Sequence, residues 1–204
     1  MNSPLTWGIA SHRQWSLPAS VPGRLCGILR RLAAAPAARD RVLIEQDGVA
    51  AVLVGMTAIE AFTNILARTV ADDPVFADSS NRILKLLGSK ADVEKSVDVL
   101  GRVFGRPIDK ADPRWVGFRE LRRLRTAFVR PKWSHDARYF DGPHLQSLVD
   151  TRAFAWLNAE TPAWVLERVR GFVELAGVAR GCSRKDLRGF VQAQLGIPAA
   201  ASDR

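Results

Sequence analysis

The stretch that decides the fold is FRELRRLRTAFVRPKWSH, residues 118–135. It carries six basic side chains between Arg119 and Lys132, against the single acid Glu120. At about 100° per residue, its apolar side chains fall on one face of a helix. Those side chains are Phe118, Leu121, Leu124 and Phe128. The stretch therefore predicts an amphipathic helix that packs one side into a core.

Flanking residues predict where this helix begins and ends. Asp112 can cap it, and Pro113 suits its first position. Pro131 pushes the residue before it out of the α region, so the helix is predicted to stop near Arg130.

Helical periodicity also recurs elsewhere in the chain. Apolar residues at three- and four-residue intervals predict a long helix over about residues 39–70. Further helices are predicted at about 23–34, around 84–87, at 91–105 with Gly101 or Gly105 at its end, at 161–177 with Thr161 as cap, and at 183–195 with a partial Ser183–Asp186 capping box. We find no strand pattern and no internal repeat. The sequence thus predicts an all-α helical bundle of about five to seven helices.

The chain has 204 residues, which suits one domain with appendages. Residues 1–21 lack helical periodicity and are predicted to form an extended N-terminal arm. Residues 22–204 are predicted to form a single helical domain. A hydrophobic content of 47% and a charged content of 25% are typical of a globular protein with a real core.

The net charge of +9 and the pI of about 10.5 favour a polyanionic partner, which could be a nucleic acid such as RNA, an anionic membrane or an acidic protein. The alternative is an arginine-rich composition without functional meaning.

Two cysteines without a CxxC motif, and three histidines without metal-pair spacing, predict no metal and no cofactor. The longest apolar run ends at Glu60 and is too short to span a bilayer, and the N-terminus has no signal-peptide pattern. We therefore expect a cytoplasmic protein that does not enter a membrane.

Two polar features interrupt the apolar surfaces of the predicted helices. Arg125 falls on the apolar side of its helix, where a guanidinium needs a partner because burying it unpaired is costly. It is either a phosphate-binding arginine or half of a structural salt bridge. On the long helix, Glu60 and Asn64 share a face with Thr57 close by. This stripe either supplies Glu60 as the partner of Arg125 or faces water.

The segments MTAIEAFTNILA and FRELRRLRTAFVRPK resemble the two signature helices of HEPN-type domains. The Glu60–Asn64 pair matches the pattern of the first helix, and LRRLRTAFVRPK matches that of the second. The resemblance covers about residues 45–135. It implies a helical bundle, often a homodimer, and a frequent activity of metal-independent RNA cleavage. In that family an arginine holds the scissile phosphate, and a histidine four to six residues later moves a proton.

The sequence departs from the family pattern at the catalytic positions. In the natural register, Arg125 matches the family arginine, Thr126 replaces the usual asparagine and Arg130 replaces the histidine. Arginine stays protonated and cannot act as a general base, although it binds phosphate well. A second register pairs Arg130 with His135, beyond the helix end marked by Pro131.

These patterns leave three functions open. The first is a HEPN-like protein with a degenerate motif. It would bind RNA or nucleotide phosphate through Arg122, Arg125, Arg130 and Lys132, with Glu60 and Asn64 in support, or serve as an interaction subunit, with defence or toxin–antitoxin systems as the setting implied by the resemblance. The second is a metal-independent endoribonuclease that uses Arg125 or Arg130 with His135. The third is a structural bundle whose basic face docks an acidic protein.

Overall fold

The computed structural model describes residues 20–88, 92–129 and 156–196. These residues form seven α-helices and one 3-10 turn and contain no β-strand. The helices are α1 (Ser20–Ala33), α2 (Arg41–Ala71), α3 (Ala77–Gly88), α4 (Val93–Val103), α5 (Pro113–Val129), α6 (Thr161–Arg180) and α7 (Arg184–Leu195), and the 3-10 turn Pro74–Phe76 leads into α3. The predicted all-α bundle is confirmed.

The long helix α2 lies at the centre of this bundle and packs against α1, α3, α4, α5 and α6. The helix α1 packs against α2, α6 and α7, and α7 also packs against α6. One continuous core joins them, and its largest fully buried side chains include Phe62, Trp115, Phe118 and Phe172. Phe172 contacts both Phe62 and Phe118, with ring centroids 6.3 and 4.8 Å apart. This aromatic cluster fixes α5 against α2 and α6.

Short polar side chains set the starts of several helices. The Asp40 carboxylate accepts a hydrogen bond from the Val42 backbone N–H at 3.0 Å, and Ser183 Oγ accepts one from the Asp186 N–H at 3.2 Å. At the other end of α6, Gly181 adopts φ +94°, a left-handed conformation that glycine adopts without strain. These groups satisfy backbone donors and acceptors that a helix end would otherwise leave unpaired.

Several predicted boundaries need correction. The helix α1 begins at Ser20, so the predicted arm ends earlier than residue 21; residues 1–19 lie outside the described part. The helix α3 begins at Ala77 instead of near Leu84, because the Asp73 side chain caps the preceding 3-10 turn and starts helical structure earlier. At the end of α4, Gly105 takes the left-handed conformation with φ +68°, whereas Gly101 is buried inside the helix.

Thr161 is not the cap of α6. The residue at the cap position is Glu160, whose side chain makes no capping hydrogen bond. The Thr161 hydroxyl instead accepts a hydrogen bond from the Asn158 N–H at 3.0 Å, and Asn158 Oδ1 accepts one from the Glu160 N–H at 2.9 Å. The turn before α6 is therefore held by Asn158, and Pro162 follows within the first helical turn as predicted.

The helix α2 is long and apolar enough to span a membrane, with a mean hydropathy of 1.8 over its most apolar window. The uninterrupted apolar run that ends at Glu60 therefore understates its length. Half of that window is buried against the other helices, as in the core helix of a globular bundle.

Candidate functional site

The start of α5 is held by a bidentate ion pair between a carboxylate and a guanidinium. Asp112 Oδ1 accepts hydrogen bonds from the Arg114 backbone N–H at 2.8 Å and from Arg114 Nε at 2.9 Å. Asp112 Oδ2 accepts a third from Arg114 Nη2 at 2.6 Å. These bonds from Arg114 lower the pKa of the Asp112 carboxyl. The sequence prediction that Asp112 caps this helix is confirmed.

The inner face of α5 is the apolar face that the sequence predicts. Phe118 and Leu121 are fully buried, and Leu124 and Phe128 pack against the core. Trp115 is also fully buried and belongs to the core. This packing sets the rotation of α5 and thus the direction of each arginine.

Two of these arginines are neutralised by acids at the start of α4. Arg122 Nη2 bonds the Asp92 carboxylate, and Arg122 Nη1 lies 2.6 Å from Glu94 Oε2. Arg119 Nε lies 3.8 Å from Glu94 Oε1. Arg122 therefore acts within the structure as a link between α5 and α4. Binding of phosphate by Arg122 stays a prediction, and a phosphate there would compete with the carboxylates of Asp92 and Glu94.

Arg125 differs from these arginines. It lies one turn beyond Leu121, on the side of α5 that faces the bundle, and it is partly buried. Among the residues that the structure describes, no carboxylate and no other hydrogen-bonding group contacts its guanidinium. It is thus a partly buried cation without an internal partner in that part of the chain.

Of the two alternatives for the polar stripe of α2, the ion pair between Glu60 and Arg125 does not form. Gly55 of α2 faces α6 and α5, since a Cβ there would lie 2.4 Å from Val165 Cγ1 and at an ordinary contact distance of 3.6 Å from Leu121 Cδ2. Glu60 follows Gly55 by five residues and therefore lies about 140° further round the helix, away from α5. Periodicity gave the polar stripe correctly, but the relative rotation of two helices is set by the packing between them.

The polar stripe of α2 faces water. Thr57 and Asn64 are exposed and Glu60 is partly exposed. The Thr57 hydroxyl donates a hydrogen bond to its own helix, at Leu53 O, 2.9 Å away. Of the two interpretations of this stripe, the structure supports the solvent-facing one, and a supporting role of Glu60 and Asn64 in binding stays a prediction.

The remaining predicted site residues follow α5 directly. Arg130, Lys132 and His135 lie outside the described residues. The helix α5 ends at Val129, in agreement with the prediction that it stops before Pro131.

No group of three or more histidine, cysteine or acidic side chains within the described segments could hold a metal ion. Burial raises the pKa of the Cys26 thiol to about 12, so this cysteine is a core residue and not a nucleophile. Burial also raises the pKa of Cys182, which lies just beyond α6.

Sequence reasoning missed one surface feature, formed by Trp156, Trp164 and Arg168. Trp156 is 51% exposed and meets Trp164 edge to face, with ring centroids 5.1 Å apart. The Arg168 guanidinium carbon lies 4.9 Å from the centroid of the Trp164 ring. The four-residue interval between Trp164 and Arg168 on a helix was a usable signal, because such residues are neighbours on one face.

Comparison of this chain with protein-family models, with curated proteins and with solved structures gave no match.

Proposed function

We propose that this protein is a HEPN-like helical bundle that binds RNA through phosphate contacts at α5 and lacks the proton-transfer step of a ribonuclease. The observation that carries the proposal is Arg125, a partly buried guanidinium without an internal partner among the described residues. The similarity of the α5 stretch to the HEPN signature helix supports the choice of RNA as the anion.

Other partly buried arginines of the bundle are paired with acids. On α5 and α6, Arg114, Arg122 and Arg170 each have a carboxylate partner within 3.0 Å. A partly buried guanidinium without such a partner loses hydration without compensation, which is unfavourable. A bound phosphate would supply the missing acceptor oxygens, and guanidinium and phosphate form strong bidentate pairs. Arg125 therefore fits an anion that arrives from outside the protein.

Long-range electrostatics favours the same class of ligand. The chain has a net charge of +9, and Arg123, one turn from Arg119 on the exposed side of α5, has no acidic partner within the described residues. Such a surplus attracts polyanions and raises the rate at which they meet the protein. It sets no sequence preference, which agrees with a contact to the phosphate backbone.

The absence of a general base from the natural register argues for binding without cleavage. At the position where the HEPN pattern has histidine, this chain has Arg130. A guanidinium remains protonated at neutral pH, so it can hold a phosphate but cannot remove a proton from a ribose hydroxyl. Only the shifted register with His135 would restore that step.

The test is to incubate purified protein with labelled total RNA in EDTA and to measure both cleavage and gel shift. We expect a salt-sensitive shift without cleavage, and binding about tenfold weaker or more in Arg125→Ala. Arg102→Ala is the matched control, because Arg102 is exposed on α4 and its removal changes the net charge equally. Cleavage that disappears in His135→Ala would replace the proposal with an endoribonuclease, and the absence of both signals would favour docking to an acidic protein.

A further inference from the structure

Trp156, Trp164 and Arg168 form a contiguous surface at the amino-terminal end of α6, here called the tryptophan–arginine surface. Trp156 is in the turn before the helix, and the other two residues are on its first two turns. The rings of Trp156 and Trp164 are nearly perpendicular, with an interplanar angle of 75°. The guanidinium of Arg168 lies against the Trp164 ring. The surface therefore combines an exposed indole with a cation.

Arg168 is fixed in place from three sides. A Cβ at Gly117 of α5 would lie only 2.6 Å from Arg168 Cδ and 2.9 Å from Arg168 Nε, so the side chain lies directly on the backbone of α5. Trp164 covers one face of the guanidinium, and Glu120 Oε2 lies 3.5 Å from Arg168 Nη2. The Nε atom is buried without a hydrogen-bond partner, whereas the side chain as a whole is 35% exposed.

Trp156 is held by its neighbour in the chain. Leu157 is buried and lies against Gly48 of α2, where a Cβ would meet Leu157 Cδ2 at 3.0 Å. Asn158 then fixes the turn into α6 through its contacts with Thr161 and Glu160. The backbone at Trp156 is therefore anchored on both α2 and α6, while half of its indole surface meets solvent. An anchored aromatic ring loses little conformational freedom when it binds a flat ligand.

We propose that the tryptophan–arginine surface is a stacking site for an unpaired nucleobase of single-stranded RNA, an inference that rests on the proposed RNA-binding function. An indole face accepts any base by stacking, and an adjacent arginine adds a cation beside the base or its phosphate. A base that is paired in a duplex does not present its face in this way. The site thus gives the protein a preference for single strands that phosphate contacts at α5 do not provide.

Position along α5 places the tryptophan–arginine surface near Arg123, which lies about 160° round the helix from Arg125 and would be a phosphate contact separate from it. Glu120, which bonds Arg168, precedes Arg123 by three residues, so the two share a side of α5 about 4.5 Å apart along the helix axis. A strand with one base on Trp156 therefore finds Arg123 on the same side of the protein. The carboxylate of Glu120 limits how far an anion can approach Arg168 itself, which assigns Arg168 to the base and Arg123 to the backbone.

The experiment measures the fluorescence anisotropy of a labelled 12-nucleotide oligouridine and of an RNA duplex of equal length. The wild-type protein is expected to prefer the single strand. Trp156→Ala is expected to weaken single-strand binding about five- to 150-fold, the range for loss of one stacked base, and to leave duplex binding unchanged. Trp156→Leu keeps an apolar side chain without a π face and is expected to match Trp156→Ala, which separates stacking from simple burial.

Val178→Ala is the control, because Val178 is an exposed apolar residue near the other end of α6. Circular dichroism melts of each variant verify folding, and Trp156→Leu serves if Trp156→Ala does not fold. Single-strand binding that survives both Trp156 substitutions, while Arg125→Ala still weakens it, would overturn the stacking site and leave the proposed function standing. A wild type that binds neither RNA would overturn both. A Trp156 variant that changes from dimer to monomer in size-exclusion chromatography, with unchanged RNA binding, would assign this surface to self-association instead.

Discussion

Replacing Gly55 with alanine would introduce a methyl group where α2, α5 and α6 meet. An ideal Cβ at this position lies 2.4 Å from Val165 Cγ1, 3.4 Å from Val169 Cγ2 and 3.6 Å from Leu121 Cδ2. Carbon atoms in contact prefer about 3.5–4.0 Å, so α6 or Val165 must move by about 1 Å. Val165 is fully buried and β-branched, and a single preferred rotamer leaves it little room to turn away.

The expected free-energy change is the difference of two effects. Overpacking of a core costs about 1–3 kcal/mol, and this contact belongs at the upper end. Alanine is a better helix former than glycine by about 1 kcal/mol, which offsets part of that cost. The net loss of about 2 kcal/mol corresponds to a drop in Tm of about 4–8 °C for a chain of this length. Thermal unfolding followed by circular dichroism measures it.

Gly189→Ala is the matched control for Gly55→Ala. Gly189 lies inside α7, and a Cβ there would meet nothing within 4 Å. Only the higher helix propensity of alanine over glycine remains, so we expect Tm to rise by about 1–4 °C. In a double-mutant cycle, Val165→Ala should relieve the clash, so the double variant loses less stability than the sum of the single variants. Gly55→Ala with wild-type stability or better would refute the close approach of α2 and α6.

Two further predictions concern titratable groups. Because burial raises the Cys26 pKa to about 12, Cys26 should resist a thiol reagent at pH 8 until the protein unfolds. Labelling with and without denaturant, followed by mass spectrometry, measures this. Rapid labelling of Cys26 in the folded protein would contradict its position in the core. Because bonds from Arg114 lower the Asp112 pKa, the ionised carboxylate stabilises the fold above the pKa of about 4 that Asp112 has in the unfolded chain, and this contribution is lost as pH falls through the lower folded value. The difference in free energy of unfolding between wild type and Asp112→Asn, measured with urea, should therefore shrink between pH 7 and pH 3. An equal difference at both pH values would contradict the bidentate ion pair between Asp112 and Arg114.

Local signals in the sequence predicted most of the helices. Asp112 and Pro113 mark the start of α5, and the spacing of Phe118 and Leu121 gives its inner face. These signals act within a few residues, so the sequence carries them directly. The side of α5 on which Arg125 lies follows from the same 100° spacing.

Relations between helices could not be obtained in this way. Glu60 faces away from α5 because the side of α2 that carries Gly55 packs against α5 and α6, and periodicity within one helix does not contain the relative rotation of two helices. The tryptophan–arginine surface likewise depends on Gly117 of α5, because the absence of a side chain there lets Arg168 of α6 pack directly on the α5 backbone. The burial of Trp115 likewise depends on its neighbours, because its ring packs against Phe118 in the core.

The most direct test of the proposed function is the salt dependence of RNA binding by the wild type and by two single arginine variants. Each phosphate contact to a single strand contributes about 0.7 to the slope of log Kd against log salt concentration. We predict that Arg125→Ala lowers this slope by about 0.7, whereas Arg82→Ala, which removes an exposed arginine of α3 without a described partner, leaves it unchanged. Equal slopes for both variants, with equal affinities, would contradict a phosphate contact at Arg125 and would reduce RNA binding to the net charge of the chain.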